Sequence, residues 1–315
     1  MPHENPLESH VRIGRPFGIE VGLLGLVSRG AILRFPAHAR GSAPVTRSPS
    51  LLAVLALAAT AGAAAQPVAV RNREGLVHGF LALRALDGTT IADGALLQTT
   101  PRAGLVESRL VFRFKDGSVQ DESVTFTQER VFRVLSYKIV QQGPSFPVQL
   151  DGRLDVKEKR ATVRAKKGDD EPEEHSERME KLPVDLANGL VLTLLKNFPS
   201  AAAELVAHMV AFTPKPRLVK LVMTPEGEER FVLGDTAHRA TRYRVKPELG
   251  GLTGIIAPLI GKEPQDVFVW IMGGTAPAFV KFEGPLFQGG AVCRMELVSP
   301  RWPERNAPAA EDSRR

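Results

Sequence analysis

Val106–Lys115 reads VESRLVFRFK. Leu110, Phe112 and Phe114 alternate with Arg109, Val111, Arg113 and Lys115, a period of two that sends the apolar side chains to one face and the bases to the other. That is the pattern of a half-buried antiparallel strand. The theme continues on both sides, in DGTTIADGALLQTT before it and KDGSVQDESVTFTQERVFRVLSYKIVQQ after it. Asp87-Gly88, Asp93-Gly94, Asp116-Gly117 and Asp151-Gly152 read as turn signals between strands. Leu150–Val156 and Arg160–Lys166 predict one more hairpin, and the acidic run Gly168–Glu177 an exposed loop.

A helical interlude follows Leu182-Pro183. Asp185 is placed to cap LANGLVLTLLKNF, in which Leu186, Leu190, Val191, Leu194, Leu195 and Phe198 follow helical spacing and Pro199 ends the run. A second short helix is predicted over Ser200–Leu205. Strand patterns resume at Val206–Phe212, Arg217–Met223, Glu228–Leu233, His238–Lys246, Asp266–Met272, Ala278–Phe282 and Val292–Leu297. Roughly a dozen strands against two or three helices predict a mainly β fold, a large antiparallel twisted sheet or open half-barrel with two or three inserted helices. No repeat of about 20 to 50 residues suggests a propeller or solenoid.

The 315 residues carry 43% apolar and 24% charged side chains, ordinary values for a globular chain. The single Cys excludes an intrachain disulfide framework and any multi-thiolate metal site. No run reaches the roughly 18 to 20 apolar residues of a membrane-spanning helix. The most specific local signal is VTRSPSLLAVLALAATAGAAAQ, from Val45 to Gln66. Arg47 supplies a short basic region, Leu51–Ala59 an apolar core and Ala63–Ala65 a small-residue cleavage site, the order that secretory signal peptides share. The chain therefore divides into a non-native or disordered extension (1–44), a signal peptide (45–65), one β-rich domain (66–302) and a disordered tail (303–315). A start near Val45 would account for the extension. Cleavage after Ala65 removes six Arg and three Glu and halves the formal charge of +6, which weakens any case for nucleic-acid binding. The product is expected in the periplasm or outside the cell.

Little in the sequence spells out chemistry. His78, His175, His208 and His238 have no metal-ligand spacing, and neither metal nor cofactor is expected. Ser145 lies in GPSFP, a rigid turn rather than a nucleophile elbow. Cys293 in AVCRMEL falls on the face of Ala291 and Met295, as a buried core thiol would. Asp121 and Glu122 are adjacent and point to opposite strand faces, which makes them a poor carboxylate pair. The stretch GGLTGIIAPLIGKEP (250–264) has the wrong glycine spacing for a phosphate loop. Its Ile255 and Ile256 suit a capping helix or an apolar lid. Arg242, Arg244 and Lys246 share one strand face, which would attract an anionic headgroup if it turned toward a cavity mouth.

An exported chain of long meandering strands with helices inserted past the middle resembles the open half-barrels of periplasmic lipoprotein carriers and related lipid-binding proteins. The resemblance is architectural, spans Gly75–Leu297 and carries no signature motif. GLTGIIAPLIGKEPQDVFVWI, EGPLFQGG and RWP also resemble segments of uncharacterised exported bacterial proteins. What the carrier resemblance implies is a concave apolar face holding an acyl chain or similar hydrophobe. The expected function is non-enzymatic binding of such a ligand, lined by Leu110, Phe112, Phe114, Leu190, Leu194, Ile255 and Ile256, with Arg242 and Arg244 for an anionic head. An envelope scaffold with a protein partner is the alternative. A hydrolase is the other, and it would need His208 or His238 beside a Ser and a carboxylate.

Overall fold

A computed structural model describes residues 67–212, 215–248 and 265–299. The expected extension and signal peptide, residues 250–264 with Ile255 and Ile256, and the tail from 303 lie outside the described residues. Within them, fourteen strands form a single antiparallel sheet. They are β1 (Val77–Ala85), β2 (Thr90–Arg102), β3 (Leu105–Phe114), β4 (Val119–Gln128), β5 (Phe132–Gln142), β6 (Val148–Asp155), β7 (Arg160–Lys167), β8 (Glu173–Arg178), β9 (Leu205–Ala211), β10 (Arg217–Leu233), β11 (Thr236–Glu248), β12 (Val267–Met272), β13 (Ala278–Pro285) and β14 (Val292–Leu297). The chain meanders outward from β1 to β8 and crosses back through helix α1 (Val191–Lys196). It then enters the far edge of the sheet as β9 and meanders inward until β14 pairs with β1. The sheet is not closed, and β8 and β9 are its two edges.

The mainly β expectation holds, but the inserted helices shrink to one among the described residues. Gly189 adopts φ +68, which interrupts the predicted helix, and α1 begins only after Leu190, which caps it with no side-chain hydrogen bond. Asp185 does not cap it; its carboxylate lies 3.0 Å from His208 Nδ1 instead. Ser200–Leu205 forms no helix, and Leu205 already opens β9. The predicted acidic loop contains β8, whose residues EEHSER are almost all exposed. Such charge on an edge strand discourages pairing with another chain. Arg217–Met223 and Glu228–Leu233 prove to be one strand, β10, which passes Pro225 by a register shift between Pro225 and Gly227.

The Asp-Gly pairs divide in the same way. Gly88 (φ +92) and Gly117 (φ +84) sit in hairpin turns. Asp93-Gly94 and Asp151-Gly152 are instead mid-strand, in β2 and β6, and the reason is steric. A Cβ on Gly94 would lie 2.5 Å from the ring of its cross-strand partner Phe112, and one on Gly152 would lie 2.8 Å from the ring of Phe212. These glycines give room to aromatic rings.

The sheet curls, and its two arms meet across the interior. Phe212, just beyond β9, stacks on Tyr137 of β5 at 6.0 Å, and Gln141 of β5 donates to the Leu286 carbonyl at 3.1 Å. The main apolar cluster joins β3–β7 to β9–β12 through Leu186, Leu190, Leu194 and Leu195. A smaller cluster of Leu81, Leu83, Ala92, Phe112, Cys293 and Met295 fills the fold where β14, β1, β2 and β3 adjoin. The β9 edge is covered by the chain ahead of α1. The Ala187 N–H donates to the His208 carbonyl at 2.7 Å and the His208 N–H donates to the Asp185 carbonyl at 3.2 Å, and the Asn188 carboxamide both donates to and accepts from Val210 at 2.9 and 2.8 Å. One side chain thus satisfies backbone groups that an edge would leave unpaired.

Substituting Gly94→Val is expected to lower stability by about 1 to 3 kcal/mol through overpacking against Phe112. Adding Phe112→Leu should recover part of the loss. Urea denaturation of both variants tests this, and an unchanged midpoint for Gly94→Val would contradict it.

Candidate functional site

Register places one row of side chains across the inner face of the first arm: Gly79, Leu96, Leu110, Glu122, Ile139, Gly152, Val163 and His175 are successive cross-strand partners from β1 to β8. The centre of this row is apolar except for Glu122. Asp121, the next residue, points the other way, and its carboxylate accepts from Arg109 Nε at 2.9 Å. That hydrogen bond holds Asp121 below the usual carboxylate range, with burial opposing. Burial has the opposite effect on Glu122, whose carboxyl is pushed up, while a hydrogen bond from Tyr137 opposes the shift. Tyr137 is itself raised well above the ordinary phenol value by burial and by the neighbouring Glu122 charge.

Glu122 is surrounded by protein, yet its surface is only partly shielded, as are those of Leu96, Leu110 and Ile139 in the same row. Gly189 is exposed although a Cβ there would lie 2.8 Å from Val124 and 3.4 Å from Tyr137. The inward side of the β2–β5 wall is thus only partly covered, and the chain entering α1 passes over it at Val124 and Tyr137. Gly189 belongs there because φ +68 and the close approach to Val124 both exclude a side chain.

The sequence-predicted lining is split by the structure. Phe112 is buried in the smaller cluster, with Leu110 and Phe114 packed against it. Leu190 and Leu194 are buried in the main cluster on the helical side. These five share the inner side of the sheet. Arg242 and Arg244 do not join them, because Tyr243 and Val245 take the inner face of β11 and the arginines stand on the outer one. There Glu226, at the β10 register shift, lies 2.7 Å from Arg244 Nε and 3.5 Å from Arg242 Nε. The Arg242 guanidinium also sits 4.0 Å from the Phe268 ring centroid. Ile255 and Ile256 lie outside the described residues. Glu122 is the side chain that sequence reasoning passed over. Its inward direction was readable from the alternation, but its apolar neighbours on β3 and β5 come from register.

His208 and Asp185 form a shielded pair, but no serine hydroxyl bonds to His208 among the described residues. The pair ties the covering segment to β9. Among the same residues no group of three or more His, Cys, Asp or Glu is arranged to hold a metal ion, and no helix is long and apolar enough to cross a membrane. Cys293 is buried at the β14–β13 pairing and donates to the Gly284 carbonyl at 3.2 Å, and burial pushes its thiol up to about 11. No known family model matches the chain, and no curated protein or solved structure does either.

Two measurements follow from these groups. Because Glu122 is raised when folded, it costs stability as pH rises above the ordinary carboxylate value, about 4.3, and costs nothing well below it. Glu122→Gln should therefore match the parent in melting temperature near pH 4 and exceed it increasingly toward neutrality. Parallel curves at all pH values would contradict this. Cys293 should resist iodoacetamide at pH 8 in the native protein and react once urea unfolds it. Rapid native alkylation would contradict its placement.

Proposed function

We propose that the protein is exported to the bacterial periplasm or beyond and binds a lipid or other hydrophobic molecule without catalysing a reaction. The observation that carries this reading is the partly accessible inner row of Leu96, Leu110, Glu122 and Ile139 in an open, curled sheet. Apolar surface left accessible inside a fold costs about 25 cal/mol for each Å² and is relieved when an apolar ligand covers it. The open seam between β8 and β9 supports the same reading, since a sheet that is not closed can separate its arms to admit a chain. The basic, apolar, small-residue order of residues 45–66 supports export. In this reading the ligand's tail lies along Leu110 and Ile139, and a head that donates hydrogen bonds meets Glu122. Arg242 and Arg244, engaged with Glu226 on the other face, take no part.

Titration with a fluorescent fatty-alcohol analogue tests the reading. Saturable binding is expected, weakened about tenfold or more by Leu110→Asp, a change worth at least roughly 1.4 kcal/mol. Absence of saturable binding, or equal binding by Leu110→Asp once its fold is verified by circular dichroism, would overturn it.

A further inference from the structure

The stretch Arg71–Phe80, RNREGLVHGF, is held by few groups and exposes most of the rest. Asn197 Oδ1 accepts from the Arg71 and Asn72 backbone at 2.9 and 2.7 Å, and the buried Glu74 bonds through its backbone to the Gln128 carboxamide. Glu74 also pairs with Lys196 at the end of α1, the one ion pair of this stretch among the described residues. The Arg71 and Arg73 side chains are thus left exposed while the chain between them is pinned. They line a cleft of about 500 Å³ together with Leu76, Val77 and Ala276.

Next to these charges the surface turns apolar. Among the described residues ten large hydrophobic side chains are exposed, and five of them, Leu76, Val77, Phe80, Leu97 and Leu297, lie at β1 or its neighbours; Phe80 and Leu97, which opposes His78, share the outer face that Leu76 leads into, whereas Val77 and Leu297, which opposes the inward Leu81, lie on the inner one. Leu76 is the most exposed of them, at 78%. Clustering of this kind marks an interaction surface. Two exposed guanidiniums beside accessible leucines and a phenylalanine match a bilayer with anionic headgroups, which offers phosphate to the arginines and an acyl boundary to the apolar side chains.

We propose that this patch docks the protein on an anionic phospholipid bilayer, with Arg71 and Arg73 at the headgroups and Leu76, Phe80 and Leu97 at the acyl boundary. Docking does not depend on what the interior holds, so the two readings fail separately. The test is co-sedimentation of the full chain with vesicles of phosphatidylcholine alone and of phosphatidylcholine mixed with phosphatidylglycerol. Binding is expected to the anionic vesicles only and to fall as salt is raised. R71Q/R73Q should weaken it about thirtyfold, as expected for two arginines near an anionic surface. L76S, at an exposed position that leaves folding intact, should weaken it at all salt concentrations. R164Q, on β7, is the control and should bind as the parent does. Binding to neither vesicle, equal binding to both, or R71Q/R73Q binding unchanged would overturn the proposal. In those cases a protein partner or the chain's own residues beyond 67–299 become the occupant of the patch.

Discussion

The pairing of β1 with β14 is the joint on which the rest of the molecule depends. Leu81 opposes Leu297, Leu83 opposes Met295 and Ala85 opposes Cys293, so the first strand of the sheet is registered against the last. Each arm is a meander whose neighbours are adjacent in sequence, and such an arm can form by local hairpins. Only this joint unites the arms into one sheet and sets the curl that brings Tyr137 to Phe212. Its contacts also close the longest loop in the fold, which is where the entropic cost of ordering the chain is greatest. The smaller apolar cluster lies at this joint, with Leu83, Cys293 and Met295 buried on its inner side. The outer side carries charge instead, with Arg84 against Glu296 and Arg294 against Glu283.

Once the arms are joined, the two edges need different treatment. The β8 edge is exposed and charged, while the β9 edge is covered by the segment around Asn188. That same segment carries Gly189 over Val124 and then turns into α1, so covering an edge and roofing the interior are done by one piece of chain. The short helix ends at Lys196 and Asn197, which fasten Glu74 and the chain leading into β1. The crossing segment therefore links the free edge of the second arm to the start of the first.

Much of this was legible in the sequence because alternation is local. The strands from Leu105 to Lys167 and from Leu205 to Leu297 follow the period of two, and the Asp121/Glu122 division between faces followed from the same rule. What failed had a long-range cause. Gly94 and Gly152 carry the chemistry of turns, yet they serve rings that arrive from Phe112 and Phe212. Asp185 has the chemistry of a helix cap, yet its partner His208 comes from another strand. Glu173–Arg178 lacks apolar residues because it is an edge, and an edge with no buried face gives no alternation to read. The outward placement of Arg242 and Arg244 could be stated relative to Tyr243, but which face was inside depended on the curl.

The candidate site has the same origin. Leu110 was singled out by its own strand, whereas the partly covered row to which it belongs exists only when β2 to β6 are in register. Its central property is an accessible apolar wall around one inward carboxylate. The most direct measurement is native mass spectrometry with lipid extraction, on protein purified from its native source without detergent. The account predicts a hydrophobic molecule of defined mass that leaves with the protein and is lost in the Leu110→Asp variant. A clean unliganded mass in both, with no extractable hydrophobe, would contradict it.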